Sequence, residues 1–228
     1  MKSSIKIRRL VAVAMFSALA FVTAVLCGYF PKVAGFLSLD LKDAIIVICA
    51  LVFGPITALP IAFLVPVLEM FTISITGWYG LVMNILSSAT FVLVTGFIYK
   101  YKRSFYGAIF GLLAGVFAVS AVMMIANLLI TPLYLTYMLG VPSTTEDIVA
   151  MLPTVLLPFN FIKATLNGAF VLLIYKPIST ALKQTGFVEK KQLDQRAEKG
   201  FNLRTLVVGL ISAAIIVASL CVMFIVLK

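Results

Sequence analysis

The chain has 228 residues, of which 63% are hydrophobic and 11% charged, with a formal net charge of +10. A soluble domain of this length needs far more charge to cover its surface, so the composition predicts one all-α integral membrane unit and leaves no room for a second folded domain. It has no histidine and no Gly-Lys pair, which excludes HExxH zinc sites, histidine-based triads and hydrolysis of ATP by a P-loop.

Leu10–Phe30 is an apolar run behind Lys2, Lys6, Arg8 and Arg9. It lacks a small-residue cleavage site, so it reads as a retained first helix rather than a signal peptide. Ala14 and Ala18 make an AxxxA step, repeated by Ala20 and Ala24. Such spacing lets helices approach closely in a membrane, either inside the bundle or against a partner protein. Asp40, Lys42 and Asp43 precede the next apolar stretch. Asp43 has the place of a helix N-cap, whereas Asp40 has no capping role to fill. Ala44–Gly77 is too long for one helix and short for two full ones, at about 1.5 Å per residue. Gly54-Pro55 is its natural break, and Glu69 within it fits a pocket or an interface equally.

Trp78–Tyr99 is the next span and carries Asn84, suited either to interhelical hydrogen bonding or to ligand contact. Phe105–Leu139 is an uncharged run with a Gly107, Gly111, Gly115 stripe and Asn127. Wholly helical, it would extend about 50 Å, so a bend or end is expected at Thr131-Pro132. Glu146 and Asp147 mark an external loop with Pro142-Ser143-Thr144. Met151–Tyr175 places Asn160, Lys163 and Asn167 on one helix face. A lysine at that depth costs about 2.5–3.5 kcal/mol unless it meets a cavity or partner. Snorkelling is the alternative for Lys163, but the flanking amides favour a polar pocket. Lys183–Arg204 reads as a polar cytoplasmic linker and Thr205–Leu227 as a last span. Cys27, Cys49 and Cys221 lack metal spacing and read as buried inert thiols.

The basic residues cluster between apolar runs, the pattern of membrane topology and lipid contact rather than of nucleic-acid binding. If Ala44–Gly77 crosses twice, the basic N-terminus, Lys100–Arg103 and Lys176–Arg204 all fall on one side. Fourteen basic residues then lie inside, against Lys32, Lys42, Lys163 and Lys228 outside or within the membrane. Seven helices with a cytoplasmic N-terminus and an external C-terminus satisfy the positive-inside tendency. Lys32 is expected to be loop-exposed.

Leu37-Ser38-Leu39-Asp40-Leu41-Lys42-Asp43, with Phe53-Gly54-Pro55 following, resembles the start of S components of energy-coupling factor (ECF) transporters. Met83-Asn84 leading to Phe91 and Tyr99, Asn127 with Pro132-Leu133-Tyr134, and Pro158-Phe159-Asn160-Phe161-Ile162-Lys163 resemble the riboflavin-specific RibU branch. The resemblance runs over residues 8–182. It implies a six-helix S-component bundle, here with a seventh C-terminal helix, arranged as a substrate-binding domain over 1–182, a linker over 183–204 and an added helix over 205–228. It further implies a vitamin pocket in which Asp40, Asn127, Asn160 and Lys163 contact the flavin; Leu39, Asn84 and Asn167 are possible further pocket residues. By the same resemblance, Ala14 and Ala18 dock the T component, and two ATPase subunits consume the ATP. No cofactor is implied, riboflavin being the transported ligand. Where riboflavin relatives often carry Lys-Asn, this chain has Glu69-Met70. An S component for another vitamin is the alternative function; a membrane enzyme or a scaffold is more remote, since no catalytic constellation recurs at helical spacing.

Overall fold

The computed structural model describes residues 2–184 and 203–225. The helices are α1 (Lys2–Cys27), α2 (Lys42–Phe53), α3 (Pro55–Thr72), α4 (Gly77–Tyr101), α5 (Phe105–Tyr137), α6 (Thr145–Met151), α7 (Leu157–Gln184) and α8 (Leu203–Ile225). A π-helical turn, Leu152–Leu156, joins α6 to α7, so these three form one continuous rod. Seven rods result among the described residues, as the sequence predicts. Most of the expected linker, residues 185–202, and Lys228 lie outside the described residues.

Five described stretches are long and apolar enough to cross a membrane: Arg9–Cys27, Pro55–Thr72, Gly77–Tyr101, Phe105–Tyr137 and Thr145–Ile178. α8 contributes a shorter apolar stretch, Val207–Val222. α2 is the exception. Its 12 residues extend about 18 Å, short of a hydrocarbon core of roughly 30 Å. Every residue from Lys42 to Val52 is buried, because α2 is enclosed by α1, α3, α4 and α7. A helix apolar all round belongs in a protein core, and α2 is the axis of this one.

The break between α2 and α3 falls where the sequence places it. Gly54 has φ +98°, a conformation open to glycine and costly for other residues. Pro55 then starts α3, where its missing N–H costs nothing. α4 closes on this corner at Gly96, whose added Cβ would lie 2.7 Å from the Pro55 Cβ. The Gly107, Gly111, Gly115 stripe lies inside the bundle: a Cβ on Gly115 would sit 2.5 Å from Thr95 Oγ1 and 2.6 Å from the Phe91 ring. Helix 5 therefore packs backbone-close on α4.

Of the bend or end expected at Thr131-Pro132, the end is absent: α5 runs through Pro132 to Tyr137, since a proline in a membrane helix is tolerated when neighbours re-satisfy the backbone it frees. Glu146 and Asp147 are not loop residues; they form the first turn of α6, where Thr144 and Asp147 make a reciprocal capping box. Cys27 and Cys49 are buried as expected, whereas Cys221 is exposed on α8.

Candidate functional site

The segment between α1 and α2 shapes one wall of the site. Val33 and Leu37 exchange backbone hydrogen bonds of 2.9 and 3.0 Å, closing a tight turn through Ala34 and Gly35, both at positive φ. The chain leaves this turn with Leu39 and Asp40 directed inward, both buried. Leu39 joins Val33, Phe159 and Leu166 in an apolar cluster against α7.

On α7 the aim of the polar residues follows from the turn before it. Pro153 and Pro158 each lack an N–H donor. Between them Leu157 donates to the Leu152 carbonyl, five residues back, and this π register rotates the helix that follows. Asn160 and Lys163 consequently face Asp40 across the interior. Lys163 Nζ donates to Asp40 Oδ2 at 2.7 Å, and Lys42 Nζ lies 3.6 Å from the same oxygen. Burial alone would raise the Asp40 carboxyl, but the two ammonium groups outweigh it and hold the group below its ordinary range.

Lys42 also donates to Glu69 Oε2 at 2.5 Å, the Lys42 side chain being 1% exposed. Asn84 Nδ2 donates to the same Glu69 oxygen at 3.3 Å. Asp43 behaves otherwise than expected. It does not cap α2, whose N-terminus has no side-chain cap; its carboxylate instead accepts from Ser88 and Ser87 of α4. The reason is position: Asp43 already lies within the first turn, facing α4 rather than the free N–H groups. One of those N–H groups, on Ala44, is met by Asn167 Oδ1 at 2.8 Å.

Asp40, Glu69, Asn84 and Lys163 are among the residues that line one cavity. Asn127, Asn160 and Leu39 line it as well. Asn127 is braced by Met123 O at 2.7 Å and by Thr131 Oγ1 at 2.8 Å, and Asn160 by Leu156 O at 2.8 Å. Asn167 does not line the cavity. Its amide donates to the Asp40 carbonyl at 2.9 Å and to Lys163 O at 3.0 Å, so it stands behind the wall and fixes it. Lys32 departs from its loop-exposed expectation: it is half-buried at the cavity mouth. Nearby, Phe36 and Tyr79 pack on Tyr134 at 5.7 and 6.0 Å and provide aromatic walls.

Sequence reading missed Lys42 and Glu69 as a buried pair. The signal was present: opposite charges in apolar surroundings must find each other or a ligand. It also missed Phe36, Ser74, Thr76 and Tyr79, which lie in loop and helix-start segments with no periodic signal. On the outside, Ala14 and Ala18 are exposed on α1, while Ala20 and Ala24 are buried, at 0% and 3%. The two alanine steps thus serve opposite faces.

The family model of the ECF transporter substrate-specific component matches residues 8–175. The riboflavin transporter FmnP of Bacillus subtilis is 31% identical over 182 residues, spanning 78% of this chain and 93% of that protein. The riboflavin transporter RibU of Staphylococcus aureus is 29% identical over 178 residues, with the same coverage of 78% and 93%. Among solved structures, the S component of a bacterial ECF transporter aligns with a TM-score of 0.64 at 27% identity, covering 78% of this chain and 99% of that one.

Proposed function

The chain belongs to the substrate-specific component family of ECF transporters, and from that premise we propose that its cavity captures riboflavin from outside the cell. The family binds and carries solutes, so this is a multi-pass membrane transport subunit and not an enzyme. The observation that carries the substrate is the convergence of Asp40, Asn127, Asn160 and Lys163 on one cavity walled by aromatic and thioether side chains. A flavin combines a flat heteroaromatic ring, an imide edge and a hydroxylated chain. Amides offer both a donor and an acceptor, which an imide edge requires, and Lys163 adds a cationic donor. Both curated relatives above are riboflavin transporters.

Uptake then draws on separate subunits. Ala14 and Ala18 present a small-residue face away from the bundle, suited to close helix approach by a T component, and two ATPase subunits bind that component. The N-terminus is cytoplasmic and the C-terminus external, by the distribution of basic residues.

Purified alone in detergent, without ATP, the protein quenches flavin fluorescence saturably. Lys163→Ala and Asn160→Ala each weaken binding by about 1–3 kcal/mol, the usual cost of stranding a buried polar group. Wild-type protein that binds another vitamin and no flavin would refute the substrate; protein that binds no vitamin would refute the function.

A further inference from the structure

The cavity has two chemically different polar walls. Asn127, Asn160 and Lys163, from α5 and α7, form one; Glu69, Ser74, Thr76, Asn84 and Ser87, from α3, α4 and the link between them, form the other. The first offers amides and a cation. The second is built around a carboxylate with hydroxyls beside it.

Glu69 is 5% exposed and held by one oxygen only. Oε2 accepts from Lys42 at 2.5 Å and from Asn84 at 3.3 Å, while Oε1 is buried without a hydrogen-bond partner among the described residues. Asp40 repeats the arrangement: Oδ2 meets Lys163 and Lys42, and Oδ1 is unpartnered. Native proteins rarely leave such acceptors unsatisfied, and here both belong to residues lining the same cavity. An ionised carboxylate can only accept, so what completes it must donate.

We infer that Glu69 is a specificity-determining residue, whose Oε1 accepts a hydrogen bond from a hydroxyl of the ligand's polyol chain. This rests on the reading of the ligand as a flavin. An imide edge presents two carbonyls around one N–H, and two carbonyls facing a carboxylate repel it; the amide wall suits that edge. A hydroxyl rotates to donate wherever an acceptor waits. Lys42 and Asn84 fix the Glu69 carboxylate before the ligand arrives, so little ordering is left to binding. The ring therefore lies toward α5 and α7, and the hydroxylated chain toward α3 and α4. A ligand lacking that chain leaves the α3–α4 wall unsatisfied and is discriminated against.

The test titrates purified wild-type and Glu69→Gln protein in detergent with riboflavin and with a flavin carrying methyl in place of the polyol chain. The substitution keeps shape and replaces one acceptor oxygen by a donor. Riboflavin binding is expected to weaken roughly 10- to 100-fold and methyl-flavin binding by less than about threefold, a non-additive pair. Equal loss of the two ligands, or loss of neither, overturns the inference. If Glu69→Gln does not elute as a monodisperse protein, Asn84→Ala is read instead, because it removes only one support of the carboxylate. Its preference for riboflavin over the methyl flavin should fall at least about threefold, and an unchanged preference overturns the inference. Wild-type protein that binds neither flavin refutes the flavin reading itself, a result distinct from wild-type protein that binds both flavins equally, which refutes only the role of Glu69.

Discussion

Asn167 is the residue whose loss separates the pocket's frame from its contacts. It is 1% exposed, outside the cavity lining, and satisfies two buried backbone groups: the Ala44 N–H at 2.8 Å and the Asp40 carbonyl at 2.9 Å. Its third bond, to Lys163 O at 3.0 Å, matters less, because that carbonyl belongs to the ordinary ladder of α7. Asn167→Leu keeps the volume and strands the two groups. Each stranded buried group costs about 1–3 kcal/mol, so the variant should lose about 2–4 kcal/mol once the loop has relaxed. For a chain of this size that lowers the melting temperature in detergent by roughly 5–15 °C. Riboflavin affinity should also fall about tenfold, because Asp40 is no longer pre-positioned. A thermal melt paired with fluorescence titration reads both quantities. An Asn167→Leu variant that melts and binds like wild type would refute the account of Asn167 as the clasp between α7 and the first loop.

Other outcomes follow from the packing. Ala14→Trp or Ala18→Trp, on the exposed face of α1, should abolish cellular uptake while the purified protein still binds riboflavin; normal co-purification of the T component with either variant would assign that face no docking role. Gly115→Ala should destabilise by about 1–3 kcal/mol, because its Cβ would lie 2.5 Å from Thr95 Oγ1 and the Phe91 ring has little room to yield; an unchanged melting temperature would show that α4 and α5 are not in backbone-close contact. Single cysteines at Lys100–Arg103 and within residues 185–202, in a Cys-free background, should resist an impermeant thiol reagent on intact cells, and labelling of the latter would overturn the orientation.

Polar residues in apolar runs were the legible part of the site. Asp40, Asn127, Asn160 and Lys163 stand out because each is costly in lipid without a partner, and all four line one cavity. What the sequence hides is which partner each one takes. Asp43 reads as a cap and instead meets Ser87 and Ser88, forty-four and forty-five residues away. Asn167 shares a helix face with Lys163 yet turns to the backbone of α2. Helical spacing assigns a face, but the crossing of neighbouring helices decides what that face meets. Length alone was ambiguous at α5, where the excess over a bilayer span suggested a bend or an end at Thr131-Pro132. The helix extends beyond it, and Tyr134 on that extension anchors the aromatic cluster at the cavity mouth.

The seventh rod shows how an apolar helix of unassigned role acquires a definite place. The family match ends at residue 175, before α8 begins. Composition says only that α8 is apolar throughout, with no polar stripe to orient it. Burial supplies the stripe: Ser212 is 1% exposed, and Ile216, Ser219 and Leu220 are partly covered on the same side. Leu210, Ile211 and Val217 are 64%, 54% and 61% exposed, the expected face toward lipid. The covered side packs on α7, with the small side chain of Ser212 at its centre. Ile216 and Leu220, one turn apart, reach the cluster of Val33, Leu39, Phe159 and Leu166. Val33 closes the turn of the first loop, Leu39 precedes Asp40, and Phe159 precedes Asn160. α8 therefore touches the apolar backing of the first loop and of the α7 wall without meeting the cavity itself, and it does so from the lipid side, where a six-helix bundle would leave that backing exposed.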